Sequence, residues 1–467
     1  MTTPSKNDNE SSGADAITEH TDDRHVDDQY TDDQHTDAPH AEINARTIFG
    51  LALPALGVLA AMPLYLLLDT AIVGRLGSFE LAALGAGATV QSMLTTQLTF
   101  LSYGTTARAS RLYGQGKKSS AIAEGVQATW VALAVGGLLA TVLWIFGTTI
   151  AQWLTGDPQV ASATASWLHV SALAIPLTLV IMAGNGWMRG IQNTRWPFYF
   201  TLAGVIPGAI TLPFLVSSFG LVGSAWANVF GMGLTATCFV VCLLRAHDGS
   251  WAPRSRVIIR QLVLGRDLIL RSLAFQVAFL SAAGVAARFG THALAAHQIM
   301  LQLWNFLTLV LDSLAIAAQA LIGAALGSKT VAKARSTGLR ITWYSTIFAL
   351  GLAVIFVVFS GWIPQVFTDD PGVLEAIATP WWLLVSMIVL GGVLFAFDGV
   401  LLGAGDVAFL RTITIASVVL GFLPGVWLAY LVDGGLTGIW CGLLAFIALR
   451  TLAVVYRFQS MKWAVTD

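Results

Sequence analysis

The stretch LALPALGVLAAMPLYLLLDTAIVG, from Leu51 to Gly74, holds one charged residue, Asp69, in a run long enough to cross a bilayer. A membrane helix needs about 20 predominantly apolar residues, and runs of that length recur along the chain. Hydrophobic residues make up 56% of the sequence and charged residues 11%, against about 25% charged in soluble domains. The composition therefore excludes a soluble core. It also excludes a porin-type barrel, whose strands alternate apolar and polar positions over about ten residues. The fold class is an all-α polytopic membrane protein.

Apolar runs between charged or Gly/Pro-rich breaks predict twelve transmembrane helices, over 48–74, 81–109, 120–147, 163–188, 196–217, 221–245, 267–288, 294–326, 338–362, 378–402, 409–431 and 435–457. Most Lys and Arg fall on one side of this arrangement, among them Arg108, Lys117, Lys118, Arg189, Arg271, Lys329, Lys333, Arg450 and Arg457, while Arg75 and Arg288 fall on the other. The positive-inside rule makes the rich side cytoplasmic and puts both termini there. The expected location is the plasma (inner) membrane.

A fixed offset of 213 then pairs Gly77 with Gly290, Gly114 with Gly327, Asp157-Pro158 with Asp370-Pro371, Asn185 with Asp398, and Gly190 with Gly403. Two copies of a six-helix unit insert in the same orientation, because six is even, and are related by a pseudo-two-fold axis along the membrane normal. The expected domains are a tail over 1–45, an amino-terminal lobe over 46–245, a basic linker over 246–266, a carboxy-terminal lobe over 267–458 and a short tail over 459–467. The first tail repeats acidic pentads such as Thr21-Asp22-Asp23-Arg24-His25, has almost nothing apolar to bury, and is expected to be disordered and cytoplasmic.

Two parallel lobes around a central site are the architecture of alternating access, so the expected function is transport. No Gly-x-x-x-x-Gly-Lys-Ser/Thr loop is present to bind a nucleoside triphosphate, which leaves an ion gradient as the energy source. No convergent nucleophile, base or metal cluster points to an enzyme. Cys238, Cys242 and Cys441 lie in apolar helices without His or acidic neighbours at ligand spacing. No cofactor, metal or nucleic acid is expected, and the chain is expected to be a monomer in the lipid bilayer.

Several segments resemble one known family. Leu53-Pro54-Ala55-Leu56, Leu68-Asp69-Thr70-Ala71-Ile72-Val73-Gly74 and Arg189-Gly190-Ile191-Gln192-Asn193-Thr194-Arg195-Trp196-Pro197 are similar to motifs of the multidrug and toxic compound extrusion (MATE) family. Arg271-Ser272-Leu273-Ala274-Phe275-Gln276 and Phe397-Asp398-Gly399-Val400-Leu401-Leu402-Gly403-Ala404 resemble its DNA-damage-inducible F (DinF) branch. The resemblance implies an exporter of small organic, often cationic, compounds driven by inward proton or sodium flow. Where family members often place Asn and Asp in the fifth helix, Gly208 and Leu212 stand here. Where the sodium-coupled branch carries a Glu in the seventh helix, Gln276 stands, which supplies no charge.

Protons are therefore the expected coupling ion and Asp69 the expected proton carrier. An ionised Asp at the centre of a membrane helix costs roughly 2.5 to 3.5 kcal/mol on insertion scales, so it needs a partner, a cavity or a proton. Asp398, Asp312, Gln276 and Asn185 are candidates for secondary coupling or for a polar network. Pro54 and Pro63 are candidate bending points of the first helix. Arg189 and Arg108 are expected to snorkel at helix ends, and Trp153, Trp381, Trp382 and Trp463 to form interfacial belts. His169 and His297 are expected to be packed or hydrogen-bonded. The alternatives are a sodium-coupled exporter and a flippase for lipid-linked precursors. A flippase would need a strongly basic cavity, whereas the charge inside the spans reads as acidic.

Overall fold

In the computed structural model, which describes residues 44–466, the chain is almost wholly helical. The acidic tail expected over 1–45 thus lies, apart from its last two residues, outside the described residues. The first lobe comprises α1 (Ala45–Val73), α2 (Ser78–Leu98), α3 (Phe100–Gly114), α4 (Lys118–Leu154), α5 (Pro158–Ser171), α6 (Ala174–Gly190), α7 (Arg195–Phe219) and α8 (Leu221–Ala246). The second comprises α9 (Ser255–Arg288), α10 (Thr291–Gly327), α11 (Val331–Val358), α12 (Pro371–Ala378), α13 (Pro380–Gly403), α14 (Val407–Ser417), α15 (Leu423–Leu431) and α16 (Gly435–Gln459).

The caps follow the repeat. Asp157 accepts from the Gln159 amide at 2.7 Å and Pro158 opens α5, while Asp370 accepts from the Gly372 amide at 2.8 Å and Pro371 opens α12. In both places the side chain satisfies a helix-end donor and the proline occupies a position that needs none. Gly77 and Gly290, also paired by the offset, sit at positive φ before α2 and α10.

Among the described residues ten helical spans are long and apolar enough to cross a bilayer, and α5 with α6, bent by 44°, makes an eleventh. The pair α2 and α3, interrupted at Thr99, is the repeat counterpart of the unbroken α10. Two features set it apart from the other spans: α3 by itself is 15 residues long, and α2 carries Gln91 and Gln97 among its Ser and Thr residues. In the eleventh of the expected spans a π-helical turn, Val418–Phe422, joins α14 to α15. One local expectation needs correction. The supposed linker is already helical from Ser255, because Val257, Ile258, Leu262 and Val263 alternate at helical spacing with Arg256, Arg260 and Arg266, and basic residues do not break a helix. The first span, α1, is one continuous helix that contains both Pro54 and Pro63.

Within each lobe the same close approaches recur. A Cβ on Gly186 would lie 2.9 Å from the Ser102 carbonyl oxygen, and one on Gly399 would lie 2.7 Å from the Cα of Ala315, the residue that the offset pairs with Ser102. Between the lobes the pattern is reciprocal. A Cβ on Gly114 would meet the backbone of Ala324, and one on Gly327 the backbone of Arg111, although 111 pairs with 324 and 114 with 327. Gly323 and Ser110, again a repeat pair, face each other. A contact in which i meets j and j meets i is the signature of a two-fold axis, so the axis passes through the α3–α10 seam. Arg111 also donates to the Ala404 carbonyl at 2.6 Å and to that of Val465 at 3.2 Å. The seam lies at the end of the bundle that carries Lys117, Lys118, Lys329 and Lys333.

Candidate functional site

Asp69 is buried on α1, 3% exposed. Ser224 of α8 donates to its Oδ2 at 2.8 Å, and the Trp167 indole of α5 donates to the Ser224 oxygen at 3.3 Å. Oδ1 of Asp69 is buried without a partner, as is the Tyr65 hydroxyl one turn earlier on the same face. No cation pairs with Asp69 among the described residues. Its chemistry is thus that of a carboxylate held by a single hydroxyl in an apolar surround. Gly208 and Leu212, which replace the expected Asn and Asp, are both buried, and Gly208 lies beside the Tyr65 ring.

Asp312 stands on α10, half-buried, and accepts from the Tyr103 hydroxyl of α3 at 2.7 Å, a hydrogen bond that crosses between the lobes. Gln319 of α10 donates to the Tyr103 carbonyl at 2.8 Å. From Ser313 to Gly323 every residue of α10 is buried, whereas Gln298, Gln302 and Asn305 are exposed. Those three recur at i, i+4 and i+7, and Asp312 lies seven residues further on the same face. The repeat counterparts Gly85, Thr89 and Ser92, with Thr96, form an exposed stripe on α2. Amides and hydroxyls on a membrane-spanning helix avoid lipid and line water. Two such stripes on helices of opposite lobes are what the walls of a water-filled cleft between the lobes would present, with the Tyr103–Asp312 hydrogen bond at its closed end.

Asp398 is held far more firmly. Arg271 of α9 and Arg450 of α16 both donate through Nη2 to its Oδ2, each at 2.5 Å. The Arg450 guanidinium lies 5.0 Å from the Phe275 ring centre and 5.6 Å from that of Phe446, and Arg271 lies 5.8 Å from Phe275. Asp312 is in electrostatic range of Arg189, Arg271 and Asp398. This arrangement overturns the reading of the interior as acidic. Arg189 does not snorkel: it is 5% exposed and its Nη1 lies 3.3 Å from the Ser102 hydroxyl. Arg450 is 3% exposed, in the body of α16 rather than in a cytoplasmic turn. Arg108 does not snorkel either but makes a two-bonded pair with Glu124, at 2.9 and 2.8 Å. In each case a fixed polar partner outcompetes bulk water.

The remaining candidates are quieter. Asn185, the counterpart of Asp398, is buried, donates to the Ile181 carbonyl at 3.0 Å and leaves its own oxygen unpartnered. Gln276 is half-buried on α9, directly after the Phe275 that supports the arginines. His297 is fully buried against Trp440 with both ring nitrogens unpartnered, and His169 packs against Trp144. Trp153 and Trp382 are exposed as a belt requires, but Trp381 and Trp463 are core residues donating to the Phe356 and Phe458 carbonyls at 3.0 and 2.9 Å. Among the described residues no three His, Cys, Asp or Glu side chains converge on a possible metal position. The residues that the sequence reading missed are Ser224, Tyr103, Arg271 and Arg450.

The MatE family model matches this chain twice, over residues 54–214 and 268–427, together more than half of its length. The chain belongs to the multidrug and toxic compound extrusion (MATE) family. It is therefore a multi-pass membrane transporter and not an enzyme. It is 28% identical to Protein DETOXIFICATION 44, chloroplastic, of Arabidopsis thaliana, over 90% of this chain and 84% of that protein. It is 26% identical to DNA damage-inducible protein F of Escherichia coli, over 88% of this chain and 92% of that protein. A solved structure of a mutant of the MATE transporter VcmN of Vibrio cholerae has the same fold, with a TM-score of 0.82 at 19% identity, covering 89% of this chain and 96% of that one. The twelve-span, two-lobe architecture of this transporter is thus that of its family.

Proposed function

We propose that this MATE transporter exports small organic compounds in exchange for protons, with Asp69 as the coupling acid. The observation that supports it is the environment of Asp69: a buried membrane carboxylate with one hydroxyl partner, one orphaned oxygen and no cation. An unpaired buried charge is expensive, and a proton supplies what no neighbouring cation supplies. Asp398, bound by two guanidiniums, has no such need.

With the positive-inside rule, the sealed α3–α10 end is cytoplasmic and the polar cleft opens outward, so this is an outward-facing state with both termini inside. Ionised Asp69 only accepts hydrogen bonds and holds the Ser224 hydroxyl as a donor. Once protonated from outside, it can donate, Ser224 is free to turn, and α1 loses its polar tie to α8. α1 packs against both α7 and α10, so a change in α1 reaches the lobe seam. Pro54 and Pro63 each remove a backbone donor from α1 and mark where it bends most easily.

The test uses the full chain in proteoliposomes with an imposed pH gradient and a fluorescent cargo. Asp69→Asn is expected to abolish gradient-driven movement while leaving reconstitution and thermal unfolding unchanged. Efflux by Asp69→Asn at the wild-type rate, or efflux driven by a sodium gradient alone, would reject the assignment.

A further inference from the structure

We infer that Arg271 and Arg450 form a binding site for an organic carboxylate that arrives through the interlobe cleft, with Asp398 as the internal occupant that the cargo displaces. The inference names the cargo class of the transporter and so rests on the transport reading. Two guanidiniums here share one carboxylate oxygen. Asp398 Oδ1 has no partner, and neither does the Nε of Arg271 or of Arg450, although all three atoms are buried. Arginine and carboxylate normally satisfy each other through two parallel bonds. This triad leaves donors on both cations and an acceptor on the anion unused.

The charges do not balance either. Arg189, Arg271 and Arg450 stand against Asp312 and Asp398 in one electrostatically connected group. Arginine stays protonated at any working pH, so one positive charge remains even with both carboxylates ionised. A single bound anion completes the group, whereas a cation would add to the excess. The planar, two-oxygen shape of a carboxylate matches the forks that are unfilled. Phe275 and Phe446, which support the guanidiniums from below, offer faces for an aromatic cargo body. The way in is through Arg271, whose side chain is 13% exposed compared with 4% for Arg450, next to Asp312 at the floor of the cleft.

Equilibrium binding to the full chain in lipid nanodiscs tests this without any gradient, so its outcome is separate from whether Asp69 couples transport to protons. The probes are tritiated 2-naphthoate, 2-naphthylmethylammonium and 2-naphthyl phosphate, which share one aromatic body and differ in charge and anion shape. Saturable binding of naphthoate, and not of the ammonium, is expected. Arg271→Gln is expected to weaken it at least tenfold. Asp398→Asn removes the internal competitor and is expected to tighten it at least fivefold, a gain that misfolding cannot produce. The inference is overturned if neither the wild type nor Asp398→Asn binds naphthoate, if Asp398→Asn fails to tighten it, or if the ammonium binds better. Tenfold preference for the phosphate would likewise overturn it and point to a phosphate-bearing lipid.

Discussion

The reciprocal seam around the pseudo-two-fold axis carries the sharpest structural prediction. In Gly327→Val the new Cβ would fall on the carbonyl oxygen of Arg111, 2.8 Å from its carbon and 3.0 Å from its Cα. All three are backbone atoms, so no side chain can swing aside, and ordinary contact begins at about 3.4 Å. The two helices must separate by more than half an ångström, and overpacking of this kind costs about 1 to 3 kcal/mol. That cost falls on the sealed state alone, because α3 and α10 have to part there when the cleft opens to the other side. The equilibrium should shift about 5- to 150-fold toward the state open at the lysine-rich end. Gly114→Val, which meets Ala324 in the mirror contact, should do the same. Gly137→Val, where a Cβ meets nothing within 4 Å, should not. Spin labels at Lys117 and Lys333, in a chain with Cys238, Cys242 and Cys441 replaced by Ser, would report the separation by pulsed electron resonance. If Gly327→Val and Gly114→Val both leave the distance distribution of the parent unchanged, the seam is not a gate and the reasoning fails.

Three further outcomes follow from the same contacts. Ser224→Ala removes the single hydrogen bond to Asp69, of a type worth about 1.5 to 3 kcal/mol when the acceptor is charged, and should slow gradient-driven efflux while Ser224→Thr largely preserves it, as read in proteoliposomes; equal rates for Ala and Thr would contradict the assigned role. Arg450→Met leaves Asp398 with one cation instead of two and should cost about 3 to 5 kcal/mol, seen as earlier thermal loss of the monodisperse peak in size-exclusion chromatography, with Arg450→Met/Asp398→Leu recovering much of it; no recovery would mean that the loss is one of packing and not of charge. Replacing Gln298, Gln302 and Asn305 together by Leu should make the cleft wall apolar and reduce labelling of a cysteine at Asp312 by a water-soluble thiol reagent; undiminished labelling would show that the stripe does not line the water path.

Much of this protein was settled by local sequence. Twelve spans follow from apolar length, because a backbone in lipid has to satisfy its own hydrogen bonds within each helix. The 213-residue offset required a duplicated lobe, and it extended to details such as the Asp-Pro starts of α5 and α12. Asp69 stood out because one charge in a long apolar run is visible without any neighbour. Arg271 and Arg450 were in principle as visible, since both fall inside the helices predicted over 267–288 and 435–457. Counting them with the cytoplasmic cations by sign hid them. What no sequence reading supplied is pairing across helices. That Ser224 of the sixth helix donates to Asp69, that Tyr103 bridges to Asp312 between lobes, and that two arginines converge on Asp398 are facts about side chains 155, 209, and 127 and 52 residues apart. Burial costs depend on which partner is within hydrogen-bond reach, and only the packing of the helices about the axis decides that.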